Sequence, residues 1–356
     1  MQTFFIVAIL LLGFLITFQI AKASEYVSVL RGEEKSKRQT NKVNAFLLLM
    51  FLILGLIGVY YCNETLSGKI LKESASVQGE KIDIMLWITL GITGFVFIVT
   101  QISLFWFAFK YQASEKRKAY YYPHNNRWEV IWTVIPAIAL TVLVGFGIFY
   151  WFRITGDAPN NAMVVEVTGS QFQWDFRYPG KDGVLGKKFY RDIDAANNNP
   201  LGQVWDDPAN YDDVHVTAEM HIVVNRPVKL VIGSKDVIHD VGLPAFRMKM
   251  DAVPGTPTTM WFTPKFTSQQ MKEKTGNPNF VYELSCDQMC GKGHTGMRGT
   301  VIVETQEEFD RWLATQKPQY YAAFPDKDPS NQKKDTAAAK PTSAMVGSIN
   351  AVKTKQ

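Results

Sequence analysis

Two cysteines, a histidine and a methionine lie within twelve residues in the C-terminal half of the sequence. They are Cys286, Cys290, His294 and Met297, in the order Cys-Asp-Gln-Met-Cys-Gly-Lys-Gly-His-Thr-Gly-Met. Thiolate, imidazole and thioether groups are the soft and borderline donors that select copper, and a His and Cys site with a weak Met is typical of electron-transfer copper. The spacing therefore indicates a redox-active copper site at the end of a strand.

The second cysteine suggests two metal ions rather than one. Two thiolates can bridge two copper ions, each of which then needs one imidazole, and the loop supplies only His294. His239, in the sequence Asp-Val-Ile-His, lies 47 residues before Cys286 at the end of another predicted strand. Together with Met297 and a backbone carbonyl between the cysteines, His239 would complete a binuclear site.

Two other interpretations of these residues remain open at this point. Tetrahedral zinc bound by two Cys and two His is the sharpest rival, but it leaves Met297 without a role. A disulfide between Cys286 and Cys290 is the other, since disulfides form in exported domains.

The segments around these residues predict β structure. Residues 163–178 alternate apolar and polar side chains, with many aromatic and β-branched residues, as in a half-buried strand. Short strands separated by Gly, Pro, Asn and Asp clusters favour an all-β sandwich or small barrel. The further predicted strands are 215–224, 228–234, 258–263, 281–286 and 299–304, and a helix is predicted over 305–315.

Two segments of this half lack a strand pattern. Residues 179–213 are rich in Asn, Asp and Pro and predict a long surface loop. From residue 320 to 356 the composition is rich in Ala, Lys, Pro, Ser and Asp, which is typical of a disordered tail.

The N-terminal half contains four runs without any Asp, Glu, Lys or Arg. They cover residues 1–21, 43–63, 84–109 and 130–152, and so have 21, 21, 26 and 23 residues. About 20 helical residues cross the hydrocarbon core of a bilayer. The sequence thus predicts an anchor of four transmembrane helices joined to an all-β domain, which excludes a purely soluble enzyme and a transporter made of helices alone.

The basic residues of the loops predict the orientation. The loops 22–42 and 112–129 carry six and four Lys or Arg residues, against three in the loop 64–83. By the positive-inside rule, both termini and the β domain lie outside the cytoplasm. Ala21-Lys22-Ala23 resembles a signal-peptide cleavage site, but the first run is long for a signal peptide and no basic residue precedes Lys22, so we expect the segment to be retained.

The charge is divided unevenly along the chain. The formal net charge is +5 overall, but residues 153–319 carry 18 basic and 21 acidic side chains, a net charge of −3. This excess of acid in the predicted exported domain excludes a nucleic-acid partner and favours a basic protein partner.

Four motifs in order along the chain resemble subunit II of heme-copper cytochrome c oxidases, with its CuA domain. The loop Cys-x-x-x-Cys-Gly-x-x-His-x-x-Met follows the segment 236–255, Asp-Val-Ile-His-Asp-Val-Gly-Leu-Pro-Ala-Phe-Arg-Met-Lys-Met-Asp-Ala-Val-Pro-Gly. Residues 128–136 resemble the start of that family's second helix, and residues 169–178 resemble its aromatic strand. The resemblance covers residues 84–315 and leaves out the first two predicted spans.

The resemblance implies a cupredoxin-like domain and a binuclear copper centre, CuA. It implies bridging ligands from both cysteines, terminal ligands from both histidines, and weak axial ligands from a thioether and a backbone carbonyl. The implied ligands are His239, Cys286, Gln288, Cys290, His294 and Met297.

The resemblance also implies the partners. Such a subunit accepts electrons from cytochrome c, or from a cytochrome c domain of a neighbouring complex, and passes them to heme in subunit I, where oxygen is reduced to water with proton pumping. Subunits I and III and the lipid bilayer are the implied partners, in a bacterial inner membrane with the copper domain in the periplasm. No Cys-x-x-Cys-His occurs, so we expect no heme in this chain.

Three positions depart from the family pattern or need separate treatment. Gln288 stands where many members have Glu, which puts a magnesium site at the interface with subunit I in doubt. Phe172 stands where the family has its electron-accepting Trp, so Phe172 or the neighbouring Trp174 is the expected site of electron uptake, and core packing is the alternative. Glu129 matches a family position at the mouth of a proton-uptake channel, and an interfacial carboxylate paired with Arg127 is the alternative.

The motifs divide the chain into four predicted parts. They are an additional helix pair (1–63), a helical hairpin (84–152), the copper domain (153–319) and the tail (320–356).

Three other functions are possible alternatives. A quinol oxidase subunit II lacks the copper ligands, and a soluble nitrous-oxide reductase needs no spanning runs. A membrane-anchored structural sandwich would hold only a disulfide.

Overall fold

The computed structural model of the protein describes residues 2–66, 72–114 and 117–331, which fall into two compact units. The first unit lies within residues 1–72 and 84–147, and the second within residues 73–83 and 148–356. Four long helices contribute to the first unit: α1 (Gln2–Arg31), α2 (Glu33–Leu66), α3 (Val77–Lys110) and α4 (Asn126–Thr155).

Three helices among the described residues are long and apolar enough to cross a membrane. They are Glu34–Leu66, Val77–Lys110 and Asn126–Thr155, and they contain three of the four uncharged runs. The membrane anchor is thereby confirmed. The count of four spans is not confirmed. Among the described residues, α1 is a continuous helix, but it is not one of those that are long and apolar enough to cross a membrane.

The second unit is a β sandwich, as the sequence predicts. One sheet has the strand order β3-β2-β1-β5-β8 and the other has the order β4-β10-β9-β6-β7. Most neighbouring strands are antiparallel, but β1 with β5 and β4 with β10 run parallel. The strands are β1 (Met163–Ser170), β2 (Gln173–Tyr178), β3 (Val214–Thr217), β4 (Glu219–Val223), β5 (Val228–Ser234), β6 (His239–Leu243), β7 (Met248–Ala252), β8 (Thr258–Phe262), β9 (Tyr282–Cys286) and β10 (Arg298–Glu304).

Both sheets contribute to one hydrophobic core. Val165 and Phe176 of the first sheet and Ile222 and Leu284 of the second are fully buried in the same cluster. The predicted single strand over 163–178 is wrong, because the chain turns at Gln171 and Phe172 and pairs β1 with β2 as a hairpin. Alternation continues through the turn, so the sequence pattern alone does not reveal the break.

Strands β6 and β7 and one short helix of this unit have no clear pattern in the sequence. β6 and β7 contain Asp, Gly and Lys, and each gains its ladder of hydrogen bonds from the other strand. Helix α5 (Ser268–Thr275) has only eight residues, and a capping box between Thr267 and Gln270 begins it. Helix α6 (Gln306–Thr315) confirms the predicted helix, and Thr305 caps it in the same way.

A strap of residues 73–83 packs against the sandwich. Ala75 and Ser76 are fully buried, and the Ser76 Oγ donates to the Phe246 carbonyl at 2.6 Å. The backbone of the strap bonds to residues 245, 263 and 265. Arg247 bonds both carboxylate oxygens of Asp83, at 2.8 and 3.1 Å, and so fixes the far end of the strap. The strap therefore belongs to the β unit although its residues 77–83 form the first turns of helix α3.

The segment 179–213 is organised around a buried arginine and is more than a surface loop. Arg177 contacts Glu166 at 2.6 Å and Asp213 at 2.8 Å, and both pairs are almost entirely removed from solvent. The Arg177 guanidinium also donates to the Asn210 side chain at 3.0 Å and to the Gly186 carbonyl at 2.9 Å. Burying polar groups without partners is costly, so this network holds the segment in one conformation.

The C-terminal segment is ordered farther than the sequence predicts. Helix α7 (Gln319–Ala323) follows α6, and the prediction of a disordered tail is wrong for residues 320–331. Tyr320 is buried against Trp205 and Tyr211, which belong to the segment 179–213. The remainder of the predicted tail, 332–356, lies outside the described residues.

We expect Arg177→Met to destabilise the β unit by about 3–5 kcal/mol, because the substitution leaves Glu166 and Asp213 buried without their cation. In a unit of this size, the thermal midpoint should fall by roughly 6–20 °C. The measurement is the unfolding of the full-length chain in detergent, followed by tryptophan fluorescence. Arg311→Met on the exposed face of α6 is the control and should change the midpoint little. Equal midpoints for the two variants would refute this role of Arg177.

Candidate metal centre

The predicted donors lie at one edge of the second sheet. His239 is the first residue of β6, Cys286 is the last residue of β9, and Met297 directly precedes β10. β6 pairs with β9 through Val241 and Cys286, and β9 pairs with β10. Because three neighbouring strands begin or end here, donors far apart in the sequence meet.

The distances between these side chains are short and regular. The two cysteine sulfurs lie 3.8 Å apart. His239 Nδ1 lies 3.8 Å from the Cys286 sulfur, and His294 Nδ1 lies 3.8 Å from the Cys290 sulfur. Met297 Sδ is 3.9 Å from the Cys290 sulfur, and the Gln288 carbonyl oxygen is 3.2 Å from the Cys286 sulfur. All six residues singled out in the sequence therefore converge on one place.

The geometry discriminates against both rival interpretations. The cysteines are free thiols, and their 3.8 Å separation far exceeds a disulfide bond of about 2.0 Å. A single tetrahedral zinc ion uses four donors, whereas Met297 and the Gln288 carbonyl extend this set to six. Two thiols between two imidazoles, with a thioether and a carbonyl beside them, fit a binuclear copper centre.

Burial shields four of the six donor residues from water. His239 and Met297 are fully buried, and both cysteines are nearly so. His239, Cys286 and Cys290 alone form a group that could hold a metal ion, since their ligand atoms lie within 4.8 Å of one another. Burial and the neighbouring Cys286 thiol raise the pKa of Cys290 to about 11. Metal binding at this thiol must therefore displace a proton.

One imidazole has a carboxylate behind it. His239 Nε2 lies 2.8 Å from Asp236 Oδ1. Burial raises the pKa of Asp236, but hydrogen bonds from His239 and from the backbone of Gln171 and Val237 lower it more, so the carboxylate is ionised. An ionised carboxylate only accepts hydrogen bonds, so Nε2 donates to Asp236 while Nδ1 faces the Cys286 sulfur.

The aromatic pair of the β1–β2 hairpin lies beside the donors in two different environments. Trp174 is fully buried, and its ring meets the His239 ring edge-on at 5.9 Å between centroids. A Cβ at Gly169 would lie 3.0 Å from both rings, so this glycine makes room for them. The indole N–H of Trp174 has no acceptor among the described residues.

Phe172, in contrast, is 39% exposed and lies on the backbone of the cysteine loop. A side chain at Gly293 would collide with its ring, and a Cβ at Gly291 would lie only 3.1 Å from it. Gly291 also has a φ of 132°, a conformation that favours glycine. The two glycines of the Cys-Gly-Lys-Gly-His sequence thus allow an exposed aromatic ring to contact the loop directly.

Gln171 makes two polar contacts beside the cysteine loop, residues 286–297, that the sequence does not predict. The side chain of Gln171 donates to the Cys290 carbonyl at 2.6 Å, and its backbone N–H donates to Asp236 Oδ2 at 2.7 Å. Neither contact has a sequence signature, because Gln171 precedes the loop by more than a hundred residues. The only available signal was its position at the predicted aromatic motif.

Glu129 belongs to the helical unit and forms part of the start of α4. Its Oε1 accepts the backbone N–H of Asn125 at 3.2 Å, and the Asn125 side chain in turn accepts the N–H groups of Arg127 and Trp128. This reciprocal pattern resembles a capping box. The side chain is exposed, and the contact that the structure gives it is with Asn125.

Models of two parts of one protein family match the chain. The model described as the periplasmic domain of cytochrome c oxidase subunit II matches residues 163–305. The model described as the transmembrane domain of the same subunit matches residues 64–149. The matched ranges contain the sandwich with all six donors, helix α3 and helix α4 up to residue 149.

Individual relatives and solved structures carry related names. The chain is 36% identical over 237 residues to the alternative cytochrome c oxidase subunit 2 of Bradyrhizobium diazoefficiens, covering 66% of this chain and 80% of that protein. It is 27% identical over 199 residues to cytochrome c oxidase subunit 2 of Cereibacter sphaeroides, covering 54% and 61%. The crystal structure of the periplasmic domain of subunit II of the Bradyrhizobium japonicum cytochrome oxidase matches 45% of this chain and 96% of that one, with 22% identity and a TM-score of 0.31.

The family matches confirm the resemblance that the sequence motifs indicate. The first of these relatives is 36% identical and is covered over 80% of its length. The two family models match both the helical hairpin and the donor-bearing sandwich. The chain belongs to the cytochrome c oxidase subunit II family.

Proposed function

We propose that this chain is the electron-accepting subunit of a cytochrome c oxidase and that its β unit holds a binuclear copper centre. The observation that carries the proposal is the convergence of two thiols, two imidazoles, a thioether and a carbonyl. Each of their donor atoms lies 3.2–3.9 Å from a cysteine sulfur of the set. Cys286 and Cys290 would bridge the ions, and His239 and His294 would bind one ion each. Met297 and the Gln288 carbonyl would be the weak ligands.

The chain's own contribution is to hold these donors still and to keep most of them away from water. When bound, a pair of copper ions bridged by thiolates supplies one-electron redox chemistry. His239 and Met297 are buried in the sandwich. The pairing of the strands β6, β9 and β10 fixes the backbone positions from which the donor side chains extend. Donors that move little between oxidation states keep the cost of reorganisation low, which is the property an electron relay needs.

The electron donor we propose is a cytochrome c, either separate or fused to a neighbouring complex. Residues 153–319 carry a net charge of −3, and opposite charge accelerates the encounter with a basic donor. The acceptor we propose is the heme of subunit I, where oxygen is reduced, and subunit III completes the set of proposed partners. Magnesium at the interface with subunit I stays in doubt, because Gln288 offers no carboxylate.

We also propose that the chain lies in a bacterial inner membrane with its copper domain in the periplasm. The strap 73–83 belongs to the same unit as the sandwich, and so does the chain from residue 148, so the start of α3 and the end of α4 are both on the side of that domain. The loop 112–129 between these two helices carries four basic residues, which supports its placement in the cytoplasm. We accordingly assign 84–152 to the helical hairpin, 153–319 to the copper domain, and 1–63 to an additional helix pair.

Metal analysis of the full-length chain in detergent tests the copper centre. We expect two copper ions per chain and a paramagnetic resonance spectrum in which one unpaired electron is shared between them. Cys286→Ser should abolish this spectrum, because it removes a bridging thiolate. Cys62→Ser is the matched control, since Cys62 is an exposed cysteine on α2, and it should retain both ions.

A chain that binds no copper after reconstitution would contradict the proposal and favour a quinol oxidase subunit or a purely structural sandwich. One tightly bound zinc ion in place of two copper ions would support the tetrahedral alternative.

Substitution of Phe172 in the assembled oxidase tests the site of electron uptake. Because the ring is exposed and contacts the copper loop, we expect Phe172→Ala to slow electron transfer from reduced cytochrome c by about tenfold or more, or about 1.4 kcal/mol in activation free energy. Copper content should not change, since Phe172 is no donor. Phe189→Ala, another exposed ring, is the control.

Trp174→Phe separates the two aromatic candidates. Trp174 is buried against His239, so its replacement tests an internal route without changing the surface. Wild-type kinetics in both Phe172→Ala and Trp174→Phe would exclude electron uptake through either ring.

Glu129→Gln tests the proposed entrance for protons at the start of α4. Glutamine keeps an oxygen that can accept the Asn125 N–H, so the helix start should persist while the titratable group is lost. We expect oxygen-consuming turnover of the assembled oxidase to fall several-fold. Glu64→Gln at the end of α2 is the control. Unchanged turnover in Glu129→Gln would leave only a capping role.

A further inference from the structure

Asp236 occupies the turn between β5 and β6 and accepts hydrogen bonds from two directions. On one side, its Oδ1 lies 2.8 Å from His239 Nε2 and 2.7 Å from the Val237 N–H. On the other side, its Oδ2 accepts the Gln171 N–H at 2.7 Å. Ser234 supports the turn, because its Oγ accepts the Asp236 N–H at 3.2 Å.

The hydrogen bond from Gln171 to Asp236 connects Asp236 to the cysteine loop. Gln171 donates its side-chain N–H to the Cys290 carbonyl at 2.6 Å. His239, Asp236, Gln171 and Cys290 thus form a continuous series of hydrogen bonds. The series connects two proposed copper ligands on different segments through the β1–β2 turn. Phe172, the next residue of that turn, lies on the loop glycines.

We propose that Asp236 is a positioning residue of the copper centre, which orients His239 and, through Gln171, holds the β1–β2 turn and its Phe172 ring on the cysteine loop. This inference rests on the proposed copper function. A carboxylate bonded to the remote nitrogen of a ligating imidazole fixes its tautomer and orientation and makes it a better donor. His239 then presents Nδ1, the nitrogen 3.8 Å from the Cys286 sulfur.

The charge of Asp236 has a second effect that a neutral partner would lack. A negative charge next to a buried ligand favours the more positive, oxidised state of the metal, because burial weakens screening. Asp236 therefore lowers the reduction potential of the centre. A role only as a docking charge for a basic partner would act on the encounter and leave the potential unchanged.

The experiment compares Asp236→Asn with the wild-type protein in the assembled oxidase. Asparagine keeps the shape and one accepting oxygen but removes the charge. We expect both copper ions to be retained, the reduction potential to rise, and the paramagnetic resonance spectrum to change. Loss of copper to a copper(I) chelator should accelerate by about 10- to 100-fold, as for other partners of metal-bound histidines.

Two further variants separate the parts of the series. Gln171→Ala should leave the potential close to that of the wild type but slow electron uptake from reduced cytochrome c, because it removes the hydrogen bond between the turn that carries Phe172 and the Cys290 carbonyl. Asp206→Asn, an exposed acid of the segment 179–213, is the matched control and should change none of these readouts.

The outcomes distinguish this inference from the proposed function. If Asp236→Asn keeps the wild-type potential, spectrum and chelator kinetics, and changes only the salt dependence of the reaction with cytochrome c, Asp236 is a docking charge and the inference is wrong. If the wild-type oxidase itself holds no copper in this chain, the proposed function fails.

Discussion

The separation of two buried cysteine sulfurs is the constraint around which the β unit is organised. At 3.8 Å the sulfurs are too far apart to be bonded and close enough to share metal ions. Keeping two thiols at this distance requires the end of β9 and the following loop to be fixed together. The sandwich does this by pairing β9 with a strand on each side. One of them, β6, begins with His239, and the other, β10, begins directly after Met297. The rest of the unit serves to hold these three strands in register.

The surroundings of the site are stabilised by buried polar contacts as well as by the apolar core. Arg177 satisfies Glu166 and Asp213, and this network fixes the segment 179–213 against the first sheet. Asp236 and Gln171 do the same for the turn above the cysteine loop. Such contacts stabilise only when every partner is present, so they specify one conformation more strongly than apolar packing alone. A relay whose donors must not move benefits from that property.

The sequence predicts the chemistry of this protein better than its architecture. The donors in the cysteine loop are evident from spacing, and His239 follows from the need for a second imidazole. The hairpin at Gln171, the strap 73–83 and the buried Arg177 network are not evident, because each depends on partners far away in the sequence. Asp236 illustrates the limit: its place three residues before His239 was visible, but its bond to the imidazole depends on the geometry of the turn.

Helix α7 and the residues around it have a consequence for how the protein is made. Tyr320 covers Trp205 and Tyr211, and the Gln319 backbone bonds to the Asp213 carbonyl, so the segment 179–213 is closed by residues synthesised more than a hundred positions later. His239 likewise meets its cysteines only after β9 and β10 have been added to the sheet. A ribosome must therefore add the strands β9 and β10 before His239 can meet the two cysteines, whereas the Arg177 network needs no residue after Asp213. The proposed copper centre can accordingly reach its full set of donors only after residues 286–297 have been added to the chain.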